Sequence, residues 1–283
     1  MIDQDKLDAM QEAIMQGASY RLASEDVEFL AGADLRPVRL QLELLKPENI
    51  LRQHNIRSTV VIFGSARIIS PEKAQANLSQ IEARAQAQPE DQHIMHELAV
   101  ATRQLAYSRY YDEAQRFAEM VSRCFQSEGR QDFVVVTGGG PGIMEAANRG
   151  AFEAGANSIG LNITLLHEQQ PNPFITPELA FRFRYFALRK MHFLMRARAL
   201  VAFPGGYGTL DELFDVLTLV QTQKMPRIPI VLLGGEFWRR VVDFDFLIEE
   251  GMISAADAEL FTVVEKAEEA VAILHDFYQG TPP

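Results

Sequence analysis

The sequence predicts an α/β protein: a Rossmann-like doubly wound parallel sheet with helices on both faces. Three observations predict it. Short β-branched runs alternate with helix-like runs from residue 59 onward. Two of the runs feed glycine-rich turns, Gly138-Gly139-Gly140-Pro141-Gly142 and Pro204-Gly205-Gly206-Tyr207-Gly208-Thr209. Each turn then opens a helix-like stretch, whose unpaired N–H groups suit an anion.

The elements follow in order. Residues 1–57 read as a polar helical extension: Leu7, Met10 and Ile14 lie at helical spacing, Ser24 with Glu28 starts a second helix, and Pro37 a third. Thr59–Phe63 is the first buried strand, ending in Gly64-Ser65-Ala66-Arg67. The main domain is set at 58–283, interrupted by an Ala/Gln/Glu-rich helical insertion at about 71–108 with Pro89 between two helices. The crossover helix is expected at about 109–128, the second strand at 133–137, and a helix at 143–154 closed by Gly155. Ser158–Ile163 is the third strand; residues 167–178, with Pro171, Asn172, Pro173 and Pro177, form a loop. The segment 179–198 starts extended and is helical by Arg189. Further strands are expected at 199–203, 229–233 and Thr262–Val264, with helices at 210–223, 236–250 and 266–278. Binding belongs at the carboxyl ends of the strands, the edge on which all three turns fall.

Composition bounds the function. The chain has 283 residues, 47% hydrophobic and 23% charged, an ordinary globular balance. Its net charge of −11 argues against a nucleic-acid or anionic-membrane surface. No run approaches the roughly 18 apolar residues of a membrane span, and the start of the chain has no secretory pattern, so a cytoplasmic location is expected. The single cysteine, Cys124, is read as a small buried residue on a helix, and no Cys/His cluster has zinc spacing. No metal or organic cofactor is expected.

The glycine turns exclude two common sites. A dinucleotide fingerprint starting at Gly138 needs glycine at 143, which is Ile143, and no acidic residue ends the next strand. Neither turn ends in the Gly-Lys-Ser/Thr of a Walker loop. What remains is a turn of exposed amides, with Thr209 adding a hydroxyl, that fits a monophosphate.

Residues 204–212, Pro-Gly-Gly-Tyr-Gly-Thr-Leu-Asp-Glu, match the P-G-G-x-G-T-x-x-E motif of the LOG family of cytokinin-activating phosphoribohydrolases. Many bacterial members carry the older label "possible lysine decarboxylase". Residues 138–146 resemble that family's other glycine-rich motif, 63–67 its first strand-end turn, and Tyr185-Phe186-Ala187-Leu188-Arg189-Lys190 the segment with its active-site arginine. The resemblance spans about 58–275. Compact members lack the N-terminal extension and the insertion, so the chain resembles the longer bacterial type.

The resemblance implies hydrolysis of the N-glycosidic bond of nucleoside 5′-monophosphates, AMP or cytokinin-type nucleotides, to free base and ribose 5-phosphate. It implies Glu212 as catalytic carboxylate with Arg189 as its cationic partner. A carboxylate near C1′ stabilises an oxocarbenium-like sugar, orients its hydroxyls or activates water. Arg189 could clamp phosphate, orient Glu212 or stabilise the departing base. Gly64, Ser65, Arg67, Gly138, Gly139, Gly140, Gly142, Glu145, Lys190, Gly205, Gly206, Tyr207, Gly208 and Thr209 complete the substrate- and phosphate-binding set. Glu145 has two readings, sugar hydroxyls or helix capping; Lys190 contacts solvent or phosphate. Asn162 and His167, at the ligand edge by the third strand, have two readings, contact with base or sugar or a loop-structuring role. His192 and Trp238 are read as packing residues. Arg182, Arg189 and Arg196 recur every seven residues and share one face if the whole stretch is helical. The family is commonly dimeric, which implies a homodimer or higher homo-oligomer.

Two alternatives stand beside this reading. A non-catalytic nucleotide sensor would keep the glycine turns and tolerate loss of Glu212. A pyridoxal-dependent decarboxylase would need a Schiff-base lysine, a context neither Lys190 nor Lys224 offers.

Overall fold

The computed structural model describes residues 3–127, 129–164 and 170–280. The chain divides into two compact units, residues 1–48 and 49–283.

The first unit is helical. It contains α1 (Gln4–Gln16) and α2 (Val27–Ala31), and α3 (Arg36–Gln53) begins within it. The start of α2 differs from the Ser24 expectation. Asp26 caps it, accepting the Phe29 N–H at 3.0 Å, because a cap must lie within three residues of the orphan amide. Arg39 Nη1 donates to the carbonyls of Leu30 (2.7 Å) and Gly32 (2.6 Å).

The second unit opens with β1 (Thr59–Phe63). The insertion follows as a helical hairpin, α4 (Pro71–Ala87) and α5 (Gln92–Tyr107), closed by Leu78, Ile81 and Ala101 with Leu98 and Leu105. Pro71 stands at the start of α4 behind the Ser70 cap, and Asp91 caps α5. The crossover helix α6 (Arg109–Phe125) buries Tyr110, Tyr111, Ala114, Phe117, Ala118 and Val121, one stripe of a 3.6-residue period. Cys124 lies on α6 but is exposed, contrary to the buried reading, because it falls outside that stripe.

A two-strand ribbon, β2 (Gln126–Ser127) and β3 (Arg130–Gln131), leads into β4 (Val134–Thr137). Then come α7 (Ile143–Glu153), β5 (Ser158–Ile163), β6 (Ala180–Phe183), α8 (Phe186–Met195) and β7 (Ala197–Ala202). The chain continues through α9 (Tyr207–Gln221), β8 (Ile230–Leu233), α10 (Gly235–Val241), α11 (Phe244–Glu249), α12 (Ala255–Ala258), β9 (Thr262–Val264) and α13 (Ala267–Phe277). The single helix expected at 236–250 is two, since Val242 is extended and Asp243 caps α11.

Seven strands form one parallel sheet in the order β6-β5-β4-β1-β7-β8-β9. The doubly wound fold is thus as predicted. The extended start of 179–198 is the edge strand β6, with Phe181 and Phe183 buried and Arg182 exposed. Arg182 therefore does not share a helical face with Arg189, and Arg196 lies just past α8, its Nε donating to the Ile56 carbonyl at 3.3 Å. Val60 and Ile62 of β1 join a core with Phe117, Ile143 and Leu274 from α6, α7 and α13. From the same strand, Phe63 meets Phe193 of α8 edge-on at 4.9 Å between centroids. Successive side chains of β1 thus pack against different helices, the period of a strand covered on both faces. Trp238 is buried and its Nε1 donates to the Leu233 carbonyl at 3.1 Å; His192 packs beside Phe183. No helix among the described residues is long and apolar enough to cross a membrane.

Candidate active site

The order of strands reverses between β1 and β7, neighbours in the sheet but far apart in the chain. Ligands of open α/β sheets bind outside the carboxyl ends at such a point. Here three turns are stitched together by main-chain bonds. The Phe203 N–H donates to the Phe63 carbonyl (2.8 Å), and the Ser65 N–H to the Pro204 carbonyl (3.0 Å). The Ser65 carbonyl accepts the Ile143 N–H at 3.1 Å, and its Oγ accepts the Arg67 N–H at 3.1 Å. Gly142, at φ +73°, packs against that same turn: a Cβ there would lie 2.7 Å from the Ala66 carbonyl carbon. No residue with a side chain fits both the dihedral and the space.

The turns enclose a cleft of about 300 Å³. Gly64, Ser65, Arg67, Gly138, Arg189, Gly206, Gly208, Thr209 and Glu212 line it, with Phe63, Met144 and Phe186 as apolar wall. Gly139, Gly140, Gly142, Glu145, Lys190, Gly205 and Tyr207 are outside its lining. Tyr207 is 93% exposed, so only its backbone belongs to the helix start. At that start the amides of Thr209 and Leu210 both bond the Gly206 carbonyl at 3.0 Å. The amides of Tyr207 and Gly208 precede them at the mouth of α9, where the helix dipole is positive.

Arg189 and Glu212 come to the cleft from α8 and α9. The Arg189 Nε donates to the Leu161 carbonyl at 2.7 Å, and the guanidinium lies over Phe193, 5.1 Å from its centroid. Burial lowers the Arg189 pKa from its ordinary value against the pull of the Glu212 charge; a guanidinium stays protonated at neutral pH all the same. Glu212 is 6% exposed. Burial raises its carboxyl above the ordinary range, opposed by Lys190 and then Arg189.

Lys190 does not point to open solvent. Its Nζ stands 2.9 Å from Asp211, 3.2 Å from Asp215 and 3.7 Å from Glu212. Burial works to lower the Lys190 pKa, but these carboxylates outweigh it and hold the ammonium above its ordinary value. Glu145, in the first turn of α7, accepts the Tyr111 hydroxyl at 3.0 Å and faces Lys73 at 3.5 Å. Burial, then the Glu145 charge, pushes the Tyr111 hydroxyl up to about 12.

Sequence reasoning missed the polar network that holds the first glycine turn. Thr137 Oγ1 donates to Asn148 Oδ1 (2.7 Å) and accepts the Gly139 N–H (2.9 Å). Asn172 Nδ2 donates to the Gly140 carbonyl and to Asn148 Oδ1, both at 3.0 Å, and its N–H to the Gly139 carbonyl at 2.9 Å. The Asn162 amide, turned with its nitrogen toward the loop, donates to the carbonyls of Gly138 and Gly139 at 3.2 Å. That is the loop-structuring role among its two readings. His167 lies outside the described residues. An asparagine inside an otherwise apolar helix face, as at Asn148, was the available signal.

Comparison with known proteins adds relatives to this geometry. The model of the family described as "possible lysine decarboxylase" matches residues 144–274. The cytokinin riboside 5′-monophosphate phosphoribohydrolase LOG1 of Arabidopsis thaliana is 31% identical over 149 residues, covering 51% of this chain and 68% of the relative. A probable enzyme of the same description from Oryza sativa subsp. japonica, LOGL3, is 27% identical over 153 residues, covering 51% and 68%. Among solved structures, the molybdenum cofactor carrier protein from Chlamydomonas reinhardtii has a TM-score of 0.45 at 17% identity, covering 79% of this chain and 99% of that one. The strands and helices that carry Arg189 and Glu212 lie inside the matched region, and at this level of identity to a LOG enzyme the chain belongs to the LOG family.

Proposed function

We propose that the cleft hydrolyses the N-glycosidic bond of a nucleoside 5′-monophosphate, AMP or a cytokinin-type nucleotide, giving free base and ribose 5-phosphate. One observation carries the reading: Glu212 and Arg189 line the same cleft as the start of α9. A phosphate held by the amides at 206–208, with the Thr209 hydroxyl and Arg67 beside it, leaves the ribose to run toward Glu212.

The C1′–N bond breaks with its electron pair leaving on the base, which takes up a proton. Water supplies the oxygen that ends on C1′, and the proton it sheds balances the one the base gains. The Glu212 carboxylate stabilises the positive charge that develops at C1′, or takes the proton from water. Arg189, held by its Nε on the Leu161 carbonyl, brings a fixed cation to the same cleft. Residues 58–283 form the catalytic region in this reading, with 1–57 a helical extension.

The decarboxylase description fits these residues poorly. A Schiff-base lysine attacks as the neutral amine, whereas Lys190 is held as ammonium by Asp211, Glu212 and Asp215 and Lys224 is exposed. The same reading takes the enzyme as a cytoplasmic homodimer or higher homo-oligomer. Phe186, Met191 and Met195 on α8, exposed beside the cleft helix α9, support an interface there.

The test is release of free base from AMP, GMP, CMP, UMP and a prenylated adenine monophosphate. Release that vanishes in Glu212→Ala and Arg189→Ala, with circular dichroism unchanged, supports the reading. Tight binding of all five without release would make the protein a nucleotide sensor.

A further inference from the structure

We propose that Lys190 is the positioning residue of Glu212: clamped by Asp211 and Asp215, its ammonium fixes the place and the charge of the carboxylate that faces the cleft. The proposal rests on the reading of Glu212 as the reacting carboxylate and gives Lys190 a role other than contact with phosphate.

The geometry is specific. Asp211 and Asp215 are four residues apart on α9 and so share one face of it. Lys190 enters between them from α8, 2.9 Å from one and 3.2 Å from the other. Two anchors fix a long side chain that would otherwise sample many rotamers. So held, its Nζ stands 3.7 Å from Glu212 Oε2.

Glu212 needs such a neighbour. Its side chain is only 8% exposed, and a carboxylate out of water takes up a proton unless a cation stands close. A protonated Glu212 could neither stabilise positive charge at C1′ nor take a proton from water. Charged groups face it from two helices. Arg189 and Lys190 of α8 favour its charge, and Asp211 and Asp215 of α9 oppose it; Arg67, from the turn after β1, lines the same cleft. Arg189 is committed to the Leu161 carbonyl and the cleft. Lys190 is the cation that also neutralises the two aspartates which would otherwise push Glu212 toward its protonated form. The adjacent pair Arg189-Lys190 thereby divides two tasks: one side chain faces the cleft, the other conditions the acid.

The test compares wild type with Lys190→Met and Lys190→Arg. The Glu212 carboxyl is titrated by NMR in protein carrying glutamate labelled with carbon-13 at the side-chain carboxyl, its signal assigned from Glu212→Gln. Lys190→Met should raise the Glu212 midpoint by about one unit or more, and Lys190→Arg should restore most of it. The acid limb of kcat/KM for base release should move with it, with KM for AMP changed less than kcat. A midpoint unmoved in Lys190→Met overturns the proposal. If Lys190→Met is unstable, Lys190→Gln gives the same readout. Because the titration needs no turnover, wild-type protein that releases no base refutes the proposed activity without deciding the role of Lys190.

Discussion

Gly138 and Arg189 interlock: a Cβ on Gly138 would lie 2.6 Å from Arg189 Nη2. The glycine of the first turn thus makes room for the guanidinium of α8, and the two motifs form one site. Gly138→Ala should displace the Arg189 guanidinium and the Met144 sulfur, the far ends of two flexible side chains, at little cost in stability. Base release should fall at least tenfold, the consequence of about 1.4 kcal/mol lost in the transition state. Urea denaturation and kcat/KM check this; a fully active variant would mean that Arg189 works equally well elsewhere.

Asn148 is buried and joins Thr137, Ser158 and Asn172 in one network. Asn148→Ala leaves buried polar partners unpaired, at a cost of about 1–3 kcal/mol. The first glycine turn loosens with it, so KM for the nucleotide should rise as well. A change in chemical-denaturation midpoint worth less than about 0.5 kcal/mol would show the network to be dispensable.

Arg67 is exposed at the rim of the cleft. Its removal should leave the melting temperature within about 1–2 °C of wild type, as for a surface change. KM for AMP should rise about tenfold or more, the loss of a charge-assisted hydrogen bond to phosphate. Steady-state kinetics decide it. An unchanged KM would place the phosphate away from Arg67.

Glu212 gives stability a pH dependence of definite sign. Burial raises its folded-state pKa above the ordinary carboxylate value, against Lys190 and Arg189. The folded protein then binds the proton more tightly than the unfolded chain, so the stability from Glu212 is fully present below the unfolded pKa. It is lost as pH rises through the folded value. Glu212→Gln removes that titration, so its melting temperature should gain on wild type as pH rises from acid to neutral. A difference that is constant with pH, or wild type gaining on the variant toward neutrality, contradicts the assignment.

Much of this was legible in the sequence because β-branched runs buried on both faces leave little choice. Thr59–Phe63, Ser158–Ile163 and Thr262–Val264 are strands at the residues expected. The extended start of 179–198 is legible too, because Phe181, Arg182 and Phe183 alternate as an edge strand should; the shared arginine face, which holds only for an unbroken helix, does not form. Cys124 was misplaced since one residue's polarity says little about which side of a helix it takes. The glycine turns and Glu212 were readable from their motif. The Lys190 clamp was not, because contact between α8 and α9 is a property of packing rather than of spacing.

We propose that a nucleoside 5′-monophosphate lies between the α9 start and Glu212. A crystal structure of Glu212→Gln with AMP tests it most directly, the substitution preserving the substrate. Phosphate oxygens are expected on the amides of residues 206–208, with C1′ facing the side chain at 212. Density for AMP at another surface, or a ribose turned away from residue 212, would contradict it.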